Sequence, residues 1–431
     1  MEERLYEDVR YDIGKHDRVL LIGTHTTTET RALSKEHLDE LEMLAETYGF
    51  EVVAKESIPL RKIDISTYIG KGKSEELIAR FKEVEADLVL FDDELSPGQE
   101  RNLEKAFNAP VIDRTELILE IFHRHARTKE AKLQVELAQS SYRLPRLKRL
   151  WTHLSRQVAS GKGFLKGEGE RQIELDRRLV RAKITRLKRE LHLIERRRSV
   201  RRKARLRSRV PTFAIVGYTN SGKSTLLRAL THADVLVEDK LFATLDTKTC
   251  RFTLPNGREA LLVDTVGFIR KIPHTIVAAF RSTLEEALHT DVLIRLVDVS
   301  HPAVHEHVAA TDGVLRELGA QDKRTITVLN KIDLLEDRSI SGRFKLTYPR
   351  VVAVSATEGT GLDELADVMI ETLAEQRERV RLRIPQKEYV VFGKLAEEGH
   401  ILYKAFEDND ILVDVEIPPS LRGVAEPFRI V

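Results

Sequence analysis

Short apolar blocks and amphipathic stretches alternate along the first part of the chain. Val19-Leu20-Leu21-Ile22, Val52-Val53 and Leu88-Val89-Leu90-Phe91 are unbroken apolar runs of the kind that strands buried on both faces require. Leu33 to Tyr48, between the first two, repeats its apolar positions at helical spacing. Strand and helix in alternation predict a small βαβ-type domain. From Thr115 to Tyr142 the pattern turns helical, Pro145 interrupts it, and Gly161, Gly163, Gly167 and Gly169 mark a loop. A second long helix is predicted from about Arg171 to Arg205, where Ile173, Val180, Ile184, Leu187, Leu191 and Ile194 are spaced 7, 4, 3, 4 and 3, the seam of a coiled coil. Two long helices around a glycine-rich loop predict an antiparallel hairpin. Pro211 and the run Phe213 to Val216 open a new α/β domain, and after about Glu375 the alternation of Ile411, Val413, Val415 and Ile417 predicts a small βαββ unit.

The expected organisation is thus an α/β domain over residues 1–115, a helical hairpin over 116–210, a second α/β domain over 211–375 and a small α+β domain over 376–431. A length of 431 residues agrees with several cores rather than one.

Charge sharpens this picture. The whole chain sums to only +2, yet Glu116 to Arg209 holds 28 Lys and Arg against 10 Asp and Glu. One basic module in an otherwise acidic chain points to a polyanion, and nucleic acid is the commonest one. Lys162, Lys166, Arg171, Arg177 and Arg178, at or just after the loop between the helices, are the candidate RNA contacts, since the imbalance leaves most of these charges without a partner one helical turn away.

Composition excludes other classes. No apolar run approaches the ~20 residues of a membrane span. Glu2, Glu3, Glu7 and Asp8 crowd the first ten residues, so no secretory leader is expected, and the protein is expected to act as a cytoplasmic monomer. The lone Cys250 allows neither an internal disulfide nor a cysteine-built zinc site. His123 and His125 have no acidic or cysteine partners at metal spacing, and Thr24 to Thr28, with His25, reads as a strand-to-helix loop.

The chemistry sits in the third region. Gly217-Tyr218-Thr219-Asn220-Ser221-Gly222-Lys223-Ser224 matches GxxxxGKS, follows a predicted strand and leads through Thr225 into a helix, which is the setting a P-loop needs. Successive backbone N–H groups and the helix N-terminus would cradle phosphate oxygens, Lys223 would reach the β- and γ-phosphates, and the Ser224 hydroxyl would ligate Mg²⁺. Ala260 to Val263 is a second buried strand, ending in Asp264-Thr265-Val266-Gly267. That places Asp264 behind the direct Mg²⁺ ligands or bound to the ion through water, and the Gly267 N–H at the γ-phosphate. Two later strands end in Asn330-Lys331-Ile332-Asp333 and in Ser355-Ala356-Thr357. These loops suit guanine: Asp333 would accept from N1–H and the exocyclic amine, Asn330 would support the loop and the N7 side, Lys331 would cover the ring, and the Ala356 N–H would meet O6. Adenine would leave a buried Asp333 carboxylate unpaired, at about 1–3 kcal/mol.

At this point the chain resembles the HflX-type GTPases, relatives of the Obg group. The resemblance rests on Leu241-Phe242-Ala243-Thr244-Leu245-Asp246, Asp264-Thr265-Val266-Gly267-Phe268-Ile269, Ile69-Gly70-Lys71-Gly72-Lys73, and Gly169 to Arg178 at the entry of the second long helix. It implies a GTPase that binds GTP and GDP with Mg²⁺, and a partner in the large ribosomal subunit and its RNA, with stalled or idle ribosomes split by some members. By the same match Thr244 becomes the second protein ligand of Mg²⁺ and the sensor of the γ-phosphate, with Thr247 and Thr249 as rivals, and Lys223, Thr244 and Gly267 carry catalysis. Asn220 resembles the P-loop asparagine of GTPases that bind K⁺ beside the phosphates. Where Ras-like enzymes carry a water-orienting Gln after DxxG, this chain has Phe268, so slow intrinsic hydrolysis is expected. Gly72-Lys73-Ser74 imitates a P-loop ending, but Thr67 and Tyr68 stand where the opening glycine belongs. The competing reading is an RNA-binding or assembly factor whose G domain serves only as a binding module.

Overall fold

The computed structural model describes residues 18–25, 31–147, 168–208, 210–232, 241–242, 245, 248–271, 289–335, 339–375, 378–417 and 421–430. Within them the chain builds three sheets and a helical hairpin.

The N-terminal sheet is parallel and ordered β2-β1-β3-β4, from β1 (Arg18–His25), β2 (Glu51–Pro59), β3 (Leu88–Phe91) and β4 (Val111–Asp113). Helices α1 (Arg31–Tyr48), α2 (Lys71–Glu83), α3 (Pro97–Phe107) and α4 (Arg114–His125) cover both faces. Alternation along β1 explains the layering. Val19 and Leu21 join Leu38 and Leu41 of α1 and Leu117 and Ile121 of α4, whereas Leu20 and Ile22 join Leu77 and Phe81 of α2 and Leu103 and Phe107 of α3.

The single helical stretch expected from Thr115 to Tyr142 is two helices, α4 and α5 (Lys129–Arg143). Asp113 caps the first and Thr128 the second, each accepting from a backbone N–H three residues on. The apolar side of α4 packs on the N-terminal sheet, so only α5 is left to pair with the long α6 (Glu168–Ser208). Leu133 and Leu137 of α5 meet Leu187 and Leu191 of α6, with Ile184 and Ile194 alongside, and Lys183 Nζ pairs with Glu136 at 2.6 Å. Ile184, Leu187, Leu191 and Ile194 of the predicted seam therefore lie at the contact.

The G-domain sheet runs β10-β9-β8-β5-β7-β6, from β5 (Thr212–Gly217), β6 (Lys248–Thr253), β7 (Glu259–Asp264), β8 (Val292–Asp298), β9 (Thr325–Asn330) and β10 (Val351–Ala353). Only β6 is antiparallel to its neighbour. On one face Leu226, Leu227 and Leu230 of α7 (Lys223–Thr231) and Leu365 and Met369 of α10 (Leu362–Ala374) cover Phe213, Ile215 and Ile294. On the other, Ala214, Val216 and Leu293 pack toward Leu315 of α8 (Val304–Glu317) in a core cluster that continues into the N-terminal domain. After α9 (Ser339–Thr347) and α10, β11 (Glu378–Pro385), α11 (Tyr389–Glu398), β12 (His400–Glu407) and β13 (Asp410–Ile417) form the antiparallel βαββ unit, ordered β11-β13-β12 and followed by the short α12 (Arg422–Ala425). Among the described residues no helix is long and apolar enough to cross a membrane.

Candidate functional site

The carboxyl ends of β5, β7, β9 and β10 bring the four motifs together, because parallel strands of one sheet all end on the same edge. Gly222 turns into α7 with φ +91°, and a Cβ there would lie 2.4 Å from Asn330 Nδ2, so the close approach of the two loops needs glycine. Asn330 is the keystone. Its Nδ2 donates to Ser221 O at 2.8 Å and its Oδ1 accepts from Ala356 N–H at 3.0 Å, so one buried amide ties the P-loop to both base loops.

Within the cradle Lys223 is buried and donates from Nζ to Tyr218 O at 2.6 Å. Burial, partly opposed by the charge of Asp264, lowers its pKa to about 8. Gly267 lies against this amine, since a Cβ on it would stand 2.9 Å from Lys223 Nζ and from Thr219 Cγ2. Phe268 N–H donates to Gly217 O at 3.0 Å and Thr219 N–H to Phe268 O at 2.6 Å, so the chain after Gly267 is zipped to the P-loop. The Phe268 side chain is buried in the core cluster shared with Tyr218 and Phe242. Thr265 Oγ1 donates to Ile215 O at 2.7 Å and fixes the end of β7 on β5. Val266 and Leu245 are core residues of the same cluster, and Ser355 is fully buried.

Ser224 Oγ donates to Asp264 Oδ2 at 2.8 Å. The other oxygen, Oδ1, is buried without a hydrogen-bond partner, and burial raises the pKa of this carboxyl despite the nearby Lys223. A buried carboxylate with an orphaned oxygen beside a hydroxyl is what a hard cation would satisfy, so these residues fit Mg²⁺, the ion that P-loop GTPases generally use. Among the described residues there is no cluster of three or more acidic, His or Cys side chains that could hold a metal by itself.

The base loops depart from expectation in three respects. Asp333 lies exposed on the 3₁₀ turn Ile332–Leu334, so it is not a buried carboxylate until something covers it. Lys331 holds a left-handed conformation, and its Nζ pairs with Asp298 Oδ2 at 2.7 Å. The Ala356 N–H assigned to O6 donates to Asn330 here. Ala243, Thr244, Asp246, Lys162 and Lys166 lie outside the described residues, as does the Arg171 side chain. Arg178 is exposed and pairs with Glu174, four residues before it, at 3.6 Å. The Gly72-Lys73-Ser74 triplet opens α2, but Ser74 Oγ donates to Ile69 O and Gly70 O and Lys73 pairs with Glu76, so those groups are turned to the chain itself.

Sequence reasoning missed a third side of the site. The Tyr218 hydroxyl donates to Glu40 of α1 and accepts from Arg270 N–H at 2.8 Å, while its ring stacks on His307, 3.7 Å away and 9° from parallel. Arg270 Nη2 donates to Asp92 Oδ1 at 2.7 Å and to His37 O at 2.9 Å. Lys271 bridges Asp92 and Asp93, and the fully buried Arg114 bonds both Glu40 and Asp92. Burial pushes the Asp92 and Glu40 carboxyls up, but the charges of Arg114 and Arg270, joined for Asp92 by Lys271, outweigh it and hold both below the ordinary range. Phe122 of α4 meets Phe242 edge-on, with ring centroids 4.7 Å apart. The signals were an acidic pair directly after an apolar strand and a basic pair three residues past DTVG.

Three family profiles match the chain: "GTP-binding GTPase N-terminal" over residues 35–123, "GTP-binding GTPase Middle Region" over 125–205 and "50S ribosome-binding GTPase" over 212–331. The chain is 47% identical to the GTPase HflX of Chlamydia pneumoniae over 97% of its own length and 90% of that protein. It is 41% identical to the GTPase HflX of Escherichia coli K12 over 95% of each. A solved GTP-binding protein from Sulfolobus solfataricus in complex with GDP is 28% identical, with 83% of this chain and 98% of that one aligned and a TM-score of 0.44.

Proposed function

Since this chain belongs to the HflX family of GTPases and hydrolyses GTP, we propose that it binds the large ribosomal subunit in its GTP form and separates stalled or idle ribosomes in the cytoplasm. The observation that carries the reading is the hairpin: Arg181, Arg186, Lys188, Arg189 and Arg196 stand exposed along α6 while its apolar seam is spent on α5. A long basic rod of this kind suits an RNA backbone. The match of residues 212–331 to a profile described as a ribosome-binding GTPase supports the same partner.

In this reading Lys223 and the amides of the P-loop hold the phosphates, Ser224, Asp264 and Thr244 hold Mg²⁺, and the Gly267 N–H senses the γ-phosphate. Bound Mg²⁺ supplies charge to the β- and γ-phosphate oxygens. Asn330 keeps the base loops in register with the P-loop, and Asp333 becomes covered when guanine settles on it. Phe268 offers no group to orient water, so a partner completes the set. Asn220, left-handed at φ 58° in the P-loop, is the residue whose side-chain carbonyl would meet K⁺ in this reading.

Sucrose gradients of ribosomes with the protein and a non-hydrolysable GTP analogue test this. The analogue should drive binding and subunit separation that GDP does not. Equal binding with GTP, GDP or no nucleotide would favour an RNA-binding or assembly factor with an idle G domain. Charge reversal at Lys162, Lys166, Arg171, Arg177 and Arg178 should abolish that binding and flatten its salt dependence, while filter-binding affinity for GTP stays unchanged.

A further inference from the structure

In an open parallel sheet a ligand settles outside the carboxyl ends of the strands, where the winding reverses. In the N-terminal sheet that point lies between β1 and β3. The groups gathered there are Thr24, Asp92 and Asp93 at the strand ends, with Glu40 of α1, and Thr24 Oγ1 donates to Asp93 at 2.6 Å. Three carboxylates repel a phosphate and select a cation. The cations present are Arg270 and Lys271 of the G domain, three and four residues past Gly267, together with the domain's own Arg114.

We propose that this acidic crevice is a receptor for the segment that follows Gly267, and that Glu40 and Asp92 are positioning residues for GTP hydrolysis, acting through Arg270 and Tyr218. The path is short. Glu40 accepts from the Tyr218 hydroxyl, which also accepts from Arg270 N–H; the Tyr218 carbonyl receives Lys223 Nζ; and the backbone around Phe268 is zipped to the P-loop on either side of Tyr218. With Arg270 docked, Gly267 faces the amine that reaches for the β- and γ-phosphates. With Arg270 released, the segment loses its tie to the crevice and keeps the two backbone bonds of Phe268 to the P-loop. The N-terminal domain thereby contributes to the geometry of a reaction whose substrate it does not touch.

The test uses the full chain without ribosomes, so its failure would leave the ribosome reading standing. Arg270→Ala and Tyr218→Phe should each lower the single-turnover rate and the preference for a GTP analogue over GDP by about ten- to a hundredfold. Tyr218→Phe keeps the ring on His307 and so decides the matter should Arg270→Ala fail to fold. Glu40→Gln combined with Arg270→Ala should be no worse than Arg270→Ala alone, because the two act as one unit. Additive losses, an unchanged rate and GTP:GDP ratio, or faster hydrolysis would each overturn the proposal.

Discussion

Lys223→Ala is expected to weaken GTP binding by about 10²- to 10⁴-fold, because in the proposed site the ammonium would make two charge-assisted contacts with phosphate worth about 1.5–3 kcal/mol each. Hydrolysis should fall below detection, as the same contacts hold the phosphates for attack. Stability should not fall with it. Burial already lowers the pKa of this lysine to about 8, so keeping its charge in the cradle opposes folding, and the hydrogen bond it donates is to a backbone carbonyl, that of Tyr218. Fluorescent-nucleotide titration and thermal unfolding on one preparation separate the effects. Near-native affinity in a folded variant would remove Lys223 from the site.

The second large effect concerns the base. Asp333→Asn replaces one carboxylate oxygen with a donor, which clashes with guanine N1–H or its amine but suits the 2-carbonyl of xanthine. The exposed position of Asp333 makes this substitution benign for the fold, since no intramolecular hydrogen bond of its side chain is broken among the described residues. Loss of one of the two carboxylate bonds, with a donor now facing a donor, should cost GTP about 1–3 kcal/mol or more, roughly tenfold to a hundredfold, with XTP gaining by a similar factor. Competition between GTP and XTP reads the ratio directly. Retained preference for GTP would show that another group reads the base.

Most of the nucleotide site was legible because each motif ends a continuous apolar run, and such runs leave little doubt that a strand stops where the polar residues begin. Gly217 after Phe213–Val216 and Asp264 after Ala260–Val263 are of this kind, and Asn330 closes the apolar–polar alternation from Thr325 in the same way. The seam from Ile184 to Ile194 was legible because a heptad is a local period. The break between α4 and α5 was not, since residues 126–128 hold neither Gly nor Pro and only the Thr128 cap marks the restart. The crevice that receives Arg270 was least legible of all. Its partners stand 178 positions apart in sequence, and pairing at that range leaves no periodicity to read. Asp333 shows a different limit: sequence identified the residue type the base needs, but whether a carboxylate is covered is a property of the packed surface.

Single-turnover hydrolysis with and without large ribosomal subunits, in KCl and in NaCl, tests most directly the proposal that this chain is a GTP switch whose hydrolysis a ribosome completes. The isolated protein should hydrolyse slowly, and subunits should lower the barrier by several kcal/mol, each 1.36 kcal/mol being about tenfold in rate, with a further gain in KCl over NaCl if Asn220 holds K⁺. Fast hydrolysis by the protein alone, unmoved by subunits, would contradict the account.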